Sequence, residues 1–136
     1  MAAEREIAKS EDEWRSELGA ERYAILREAA TEPPFSGDYT YEKASGTYQC
    51  GACGAALFRS DAKYDSGTGW PSFTEPMVAD ALELVDDSSL GMVRTEVQCR
   101  RCGSHLGHVF PDGPGPTGER YCMNSLALDL EPDSHD

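Results

Sequence analysis

The sequence predicts a mainly β domain of the α+β class, with short N-terminal helices ahead of antiparallel sheets and a structural metal site. Three observations carry this. Four of the five cysteines fall into two Cys-x-x-Cys pairs, Cys50/Cys53 and Cys99/Cys102. From Phe35 onward the chain breaks into short extended runs separated by glycine, proline and aspartate. Before Phe35 the apolar residues instead recur at helical spacing.

In chain order, residues 1–9 read as a flexible N-terminus and Ser10-Glu11-Asp12-Glu13 as a helix start, with Ser10 as N-cap and Glu13 closing a capping box. Trp14 and Leu18 share a face, and Gly19 ends this first segment. A second helix is expected from Ala20 to Ala30, with Tyr23, Leu26 and Ala30 on one side and Pro33-Pro34 as the stop. Residues 10–32 thus form a helical arm, read as structural cladding on a β domain spanning 35–130.

Within that domain, Thr47 to Cys50 leads into the first cysteine turn and Ala56 to Arg59 leads out of it. Leu82 to Val85 and Met92 to Val97 alternate as half-buried strands do, the latter entering the second cysteine turn. The last strand runs from Arg120 to Leu130. The acidic tail 131–136 is expected to be disordered, with His135 idle in it.

The last strand changes parity. Alternate residues of an extended chain share a face, so Arg120, Cys122 and Asn124 project together, away from Tyr121 and Met123. After Ser125 the apolar residues are Leu126, Leu128 and Leu130. A single strand on a single core does not do this unless it bends, bulges or passes between two packed surfaces. The simplest account has the first half presenting a cation, a thiol and an amide to a cleft while the second half fills the core.

Two Cys-x-x-Cys turns supply four sulfurs for a tetrahedral zinc, and each short spacing lets both thiolates of a pair reach one ion. Such a site contributes roughly 10–16 kcal/mol of apparent free energy, which a small, glycine-rich and proline-rich domain can use. No run of apolar residues is long enough for a bilayer, and Met1 to Glu6 lacks the pattern of a secretory leader, so the expected compartment is the cytoplasm, without membrane association. The formal net charge is -13, and four thiolates with zinc make it about -15. The few cations are scattered, Arg100-Arg101 being the densest group, which excludes nucleic acid as a partner.

Cys122 is left over, and it reads either as a nucleophile or as a small buried hydrophobe. Arg120, two residues away on the same face, is placed to favour its thiolate. His105 and His108, directly after the second cysteine turn, are candidates for proton transfer near neutral pH, for core or surface roles, or for metal ligation, although four cysteines already complete a structural site. Trp70 sits in Gly67-Thr68-Gly69-Trp70-Pro71, a tight turn that either presents its ring to a small apolar group or buries it in the core.

Taken together, Gly69-Trp70-Pro71-Ser72-Phe73, Arg94-Thr95-Glu96-Val97, His105-Leu106-Gly107-His108-Val109-Phe110 with Asp112-Gly113, and Arg120-Tyr121-Cys122-Met123-Asn124-Ser125 resemble the methionine-R-sulfoxide reductases, and the cysteine turns resemble those of the zinc-containing members. The resemblance spans residues 10–130. It implies two packed antiparallel sheets, a zinc on Cys50, Cys53, Cys99 and Cys102 away from the active site, and reduction of the R epimer of methionine sulfoxide in proteins. It further implies Cys122 as nucleophile, with His105, His108 and Asn124 around the sulfoxide. Trp70 and Phe110 would bind the substrate, Trp70 against its methyl, with Arg120 and Asp112 in support.

On that basis the Cys122 thiolate attacks the sulfoxide sulfur, His108 protonates the oxygen, and a sulfenic acid remains on Cys122. Many members of the family carry a second, resolving cysteine where this chain has Thr68. The expected reductant is therefore an external low-molecular-weight thiol or a thioredoxin-type partner, acting on a monomer. Two rivals stand beside this reading. One is a zinc-stabilised binding module, which leaves the histidines, Trp70 and Cys122 unexplained. The other is a non-catalytic peroxide-sensing thiol, which gives Trp70 no task.

Overall fold

The computed structural model describes residues 7–88 and 93–133. Helix α1, Glu11–Glu28, opens on the expected capping box, the Ser10 hydroxyl accepting from the Glu13 N–H while the Glu13 carboxylate accepts from the Ser10 N–H. Gly19, at φ 80° and ψ 163°, breaks it into two helical segments, as the sequence predicts. The second segment ends at Glu28, short of Ala30, because Ala29 turns into the left-handed region and sends its N–H back to the Ala24 carbonyl. Trp14, Tyr23, Ile25 and Leu26 are buried, with the Arg27 guanidinium 4.7 Å from the Trp14 ring.

Among the described residues nine strands follow: β1 Gly46–Cys50, β2 Ala56–Arg59, β3 Lys63–Tyr64, β4 Ser72–Phe73, β5 Leu82–Asp87, β6 Arg94–Cys99, β7 His105–Phe110, β8 Arg120–Met123 and β9 Leu128–Pro132. They form two antiparallel sheets, β2-β1-β9 and β3-β4-β8-β7-β6-β5. Tyr48, Leu57, Phe58, Phe73, Val97, Leu106, Met123 and Leu128 belong to one fully buried core. Phe58 stacks on Phe73 at 4.3 Å, and Tyr48 meets Phe73 edge-on at 5.2 Å.

The expected single strand 120–130 is two strands in different sheets. Between them Ser125–Ala127 forms a 3-10 turn that carries the chain from the larger sheet to the smaller, which explains the change of parity. The arm is tied to this crossover through Arg22, which donates to the carbonyls of Leu126 and Leu128 and pairs with Asp129 at 2.8 Å.

At both ends of the described span the backbone is paired into the domain. Ile7, expected to be flexible, donates its N–H to the Arg101 carbonyl and packs on the core. Glu131 and Pro132, expected in a disordered tail, pair with β1, and the Asp133 carboxylate takes two hydrogen bonds from Arg59. Backbone pairing and a two-pronged ion pair outweigh the acidic composition there. His135 and Met92 lie outside the described residues.

Candidate active site

The four paired cysteines converge. The turn after β1 and the turn after β6 are built alike. Gly54 sends its N–H to the Cys50 carbonyl and Gly103 sends its N–H to the Cys99 carbonyl. Both glycines stand near φ 80°, a conformation L side chains avoid. The four sulfurs lie within 4.8 Å of one another, with Cys50 to Cys102 at 3.7 Å and Cys53 to Cys99 at 3.6 Å. A tetrahedral zinc with bonds of about 2.3 Å sets its sulfurs about 3.8 Å apart, so the donor set fits. Hydrogen bonding among the crowded thiols holds Cys102 far below the usual thiol range and pushes Cys50 far above it, a conflict that a bound cation removes. One turn belongs to each sheet, so a metal here staples the two sheets together.

The remaining candidates gather on one face of the larger sheet. Strand register sets Ser72 opposite Cys122, Cys122 opposite His108, and His108 opposite Glu96. Two residues along, Arg120 stands opposite Phe110, with the guanidinium 4.7 Å from the ring centroid. His105 joins this face through a bulge. Val97 pairs with Gly107 and Gln98 with His105, so β7 carries one extra residue there. Without it, parity would send His105 to the core side with Val109. With it, Leu106 enters the core, the two imidazoles stand 5.4 Å apart, and His105 Nδ1 reaches Glu96 at 2.7 Å.

These side chains enclose a cavity of about 160 Å³ whose lining includes Trp70, His108, Phe110, Arg120, Cys122 and Asn124, and none of the paired cysteines. His105 stands behind this wall, nearly fully buried, with Nε2 meeting no protein partner. Thr31, Thr68 and Arg94 also face the cavity; the sequence pattern gives none of them a role in binding or catalysis, although Arg94 lies in one of the motifs quoted above. His108 Nε2 is 2.8 Å from Asp87 Oδ2, which also accepts from Arg94. Nothing in the run Leu84-Val85-Asp86-Asp87 marks that carboxylate in advance.

Burial dominates the electrostatics. It pushes the Cys122 thiol above its usual range, against the lowering pull of Arg120 and of a hydrogen bond from Thr68. Burial also lowers the His108 imidazole, against the raising effect of Asp87. The hydrogen bond from His105 holds the Glu96 carboxyl below the usual range, and Arg120 does the same for Asp112, its partner at 2.8 Å. An apolar wall, a thiol, an imidazole and an amide around one small chamber suit attack on a compact polarised group.

A model of the SelR domain matches residues 18–132. The chain is 61% identical over 126 residues to the peptide methionine sulfoxide reductase MsrB of Bradyrhizobium diazoefficiens, covering 93% of this chain and 91% of that protein. It is 58% identical over 131 residues to the protein of the same name from Leifsonia xyli, covering 96% and 94%. The match to that of Methanosarcina barkeri is 54% over 129 residues, covering 95% and 91%.

Proposed function

The chain belongs to the SelR family of peptide methionine sulfoxide reductases, and we propose that it reduces the R epimer of the sulfoxide in oxidised peptides and proteins through a sulfenic acid on Cys122. One observation carries this most directly: Cys122 and His108 face each other across the β7–β8 ladder beside a cavity walled by Trp70 and Phe110. The indole accommodates the substrate methyl, and the Asn124 amide and the histidines lie on the side where the sulfoxide oxygen is held.

The steps follow from these groups. Cys122 loses its proton, assisted by Arg120 and Thr68, and its thiolate attacks the sulfoxide sulfur. The oxygen cannot depart as oxide, so protonated His108 supplies a proton, while His105, held by Glu96, keeps the ring beside it in place. The protonated oxygen then passes from the substrate sulfur to Cys122 Sγ as the bond between the two sulfurs breaks, so that methionine leaves and Cys122 carries a sulfenic acid. Two equivalents of an external thiol, or one dithiol of a thioredoxin-type partner, then supply two electrons, release water and restore the Cys122 thiol while their own sulfurs join in a disulfide, the chain working as a monomer.

Zinc on Cys50, Cys53, Cys99 and Cys102 serves structure, fixing the turn from which β7 begins. No helix among the described residues is long and apolar enough to cross a membrane. The test is a dithiothreitol-driven assay on each sulfoxide epimer, with zinc measured on the same sample. Turnover of the R epimer by wild type and its loss in Cys122→Ser are expected. Normal turnover by a zinc-replete Cys122→Ser protein overturns the reading.

A further inference from the structure

Glu32, four residues beyond the end of α1, is almost fully buried yet forms no ion pair among the described residues that would offset the burial of a carboxylate. Its polar groups lead instead to two walls of the cavity. The Glu32 N–H donates to Asn124 Oδ1 at 3.1 Å, while Asn124 Nδ2 donates to the Leu106 carbonyl. Only one orientation of the amide satisfies both bonds. The Glu32 carbonyl accepts from the Trp70 indole Nε1–H at 3.0 Å. Its carboxylate Oε1 accepts from the Leu126 N–H at 2.9 Å, in the crossover turn that follows the site. Gly37 closes over the carboxylate: a Cβ there would fall 2.7 Å from Oε2 and 2.1 Å from Ser125 Oγ.

The geometry points to Glu32 as a specificity-determining positioning residue, whose carboxylate, seated on the crossover turn, holds the Trp70 ring and the Asn124 amide at a fixed spacing across the cavity. The inference rests on the reductase reading above. Glu32 lines a separate groove and not the chamber itself, so its geometric hold on the substrate runs through those two groups; beyond them its carboxylate reaches the site only as a charge that helps to raise the Cys122 thiol. If the indole receives the methyl and the amide side receives the oxygen, their spacing decides which epimer fits.

Three substitutions separate geometry from charge. Glu32→Gln keeps an acceptor of the same reach. Glu32→Asp keeps the charge but withdraws it by one methylene, and Glu32→Ala removes both. In the dithiothreitol-driven assay with N-acetyl methionine sulfoxide, Glu32→Gln is expected to retain KM and the R-over-S ratio within about twofold. Glu32→Asp and Glu32→Ala are expected to raise KM for the R epimer about 10-fold and to narrow the epimer ratio by a similar factor, the scale of a small misplacement in an active site. The Trp70 indole N–H should also lose protection from hydrogen exchange in these two variants.

A merely structural role would lower kcat in proportion to the folded fraction, with KM and epimer ratio unchanged, and that result overturns the inference. So does a Glu32→Gln protein that loses discrimination as Glu32→Ala does. An inactive wild type would instead overturn the reductase reading itself.

Discussion

Gly107 packs so closely on Cys122 that a Cβ on the glycine would stand 2.0 Å from the Cys122 carbonyl oxygen and 2.9 Å from Met123 Cα. No rotamer relieves this, because the atoms met are backbone. Gly107→Ala must therefore push β8 away from β7, the two strands that carry the thiol and the imidazole. A loss of about 3 kcal/mol or more in a denaturant titration is expected, together with loss of turnover. A Gly107→Ala protein with an unchanged midpoint would contradict the close approach.

Burial and Arg120 pull the Cys122 thiol in opposite directions, and burial wins. The folded-state pKa is thus raised, and thiol reactivity should climb with pH past the ordinary thiol range. Replacing Arg120 by Gln removes the opposing charge, so the midpoint should rise further. Alkylation by iodoacetamide at neutral pH should then slow, by about 10-fold if the midpoint rises by one pH unit. Arg120→Lys keeps a positive charge and should fall between. A midpoint that moves down in Arg120→Gln would reverse the assigned sign.

Asp87 counters the effect of burial on His108 through the contact at Nε2. Asp87→Asn removes the charge, and His108 should then titrate at lower pH than in wild type when its ring is followed by NMR. A smaller protonated fraction at neutral pH leaves less acid for the sulfoxide oxygen, so kcat should fall by about 10-fold, short of the full contribution of one general acid. An unchanged titration with unchanged kcat would show that Asp87 has no hold on the ring.

The cysteine cluster sets a limit on stability. Metal binding worth roughly 10–16 kcal/mol matches or exceeds the usual total stability of such a domain, about 5–15 kcal/mol. With zinc on these sulfurs, as proposed above, a strong chelator should therefore unfold the protein rather than merely slow it, and Cys99→Ser should purify metal-free with little native circular dichroism. A chelated sample with an unchanged melting temperature would show the four sulfurs to be dispensable.

How much of this is legible in the sequence depends on whether the signal is local. The capping box at Ser10, the break at Gly19 and the paired cysteine turns each need only a few neighbouring residues, and each appears as expected. The parity change after Ser125 announces a bend, a bulge or a passage between packed surfaces but does not say that it joins two sheets. Strand β7 gives no alternating pattern to read, because its bulge and Gly107 disrupt the period of two. Glu32 and Asp87 are unreadable for another reason. Their partners lie far along the chain, Glu32 meeting residues 38 and 92 positions away, and no local periodicity records such a contact.

Thr68 lines the cavity together with Cys122, and its side chain draws the thiol's pKa down. The other four cysteines are gathered into one cluster, and none of them lines the cavity. A sulfenic acid on Cys122 therefore has no resolving thiol beside it. After one turnover without reductant, a non-reducing peptide map should show no disulfide from Cys122, and dimedone should add to that residue alone. Introducing Thr68→Cys should reverse both results: the new thiol would condense with the sulfenic acid, and dimedone labelling would fall as an intramolecular disulfide appears. A disulfide between Cys122 and any of the four clustered cysteines in wild type would instead mean that the metal site yields a thiol during turnover, and regeneration by an outside thiol alone would have to be abandoned.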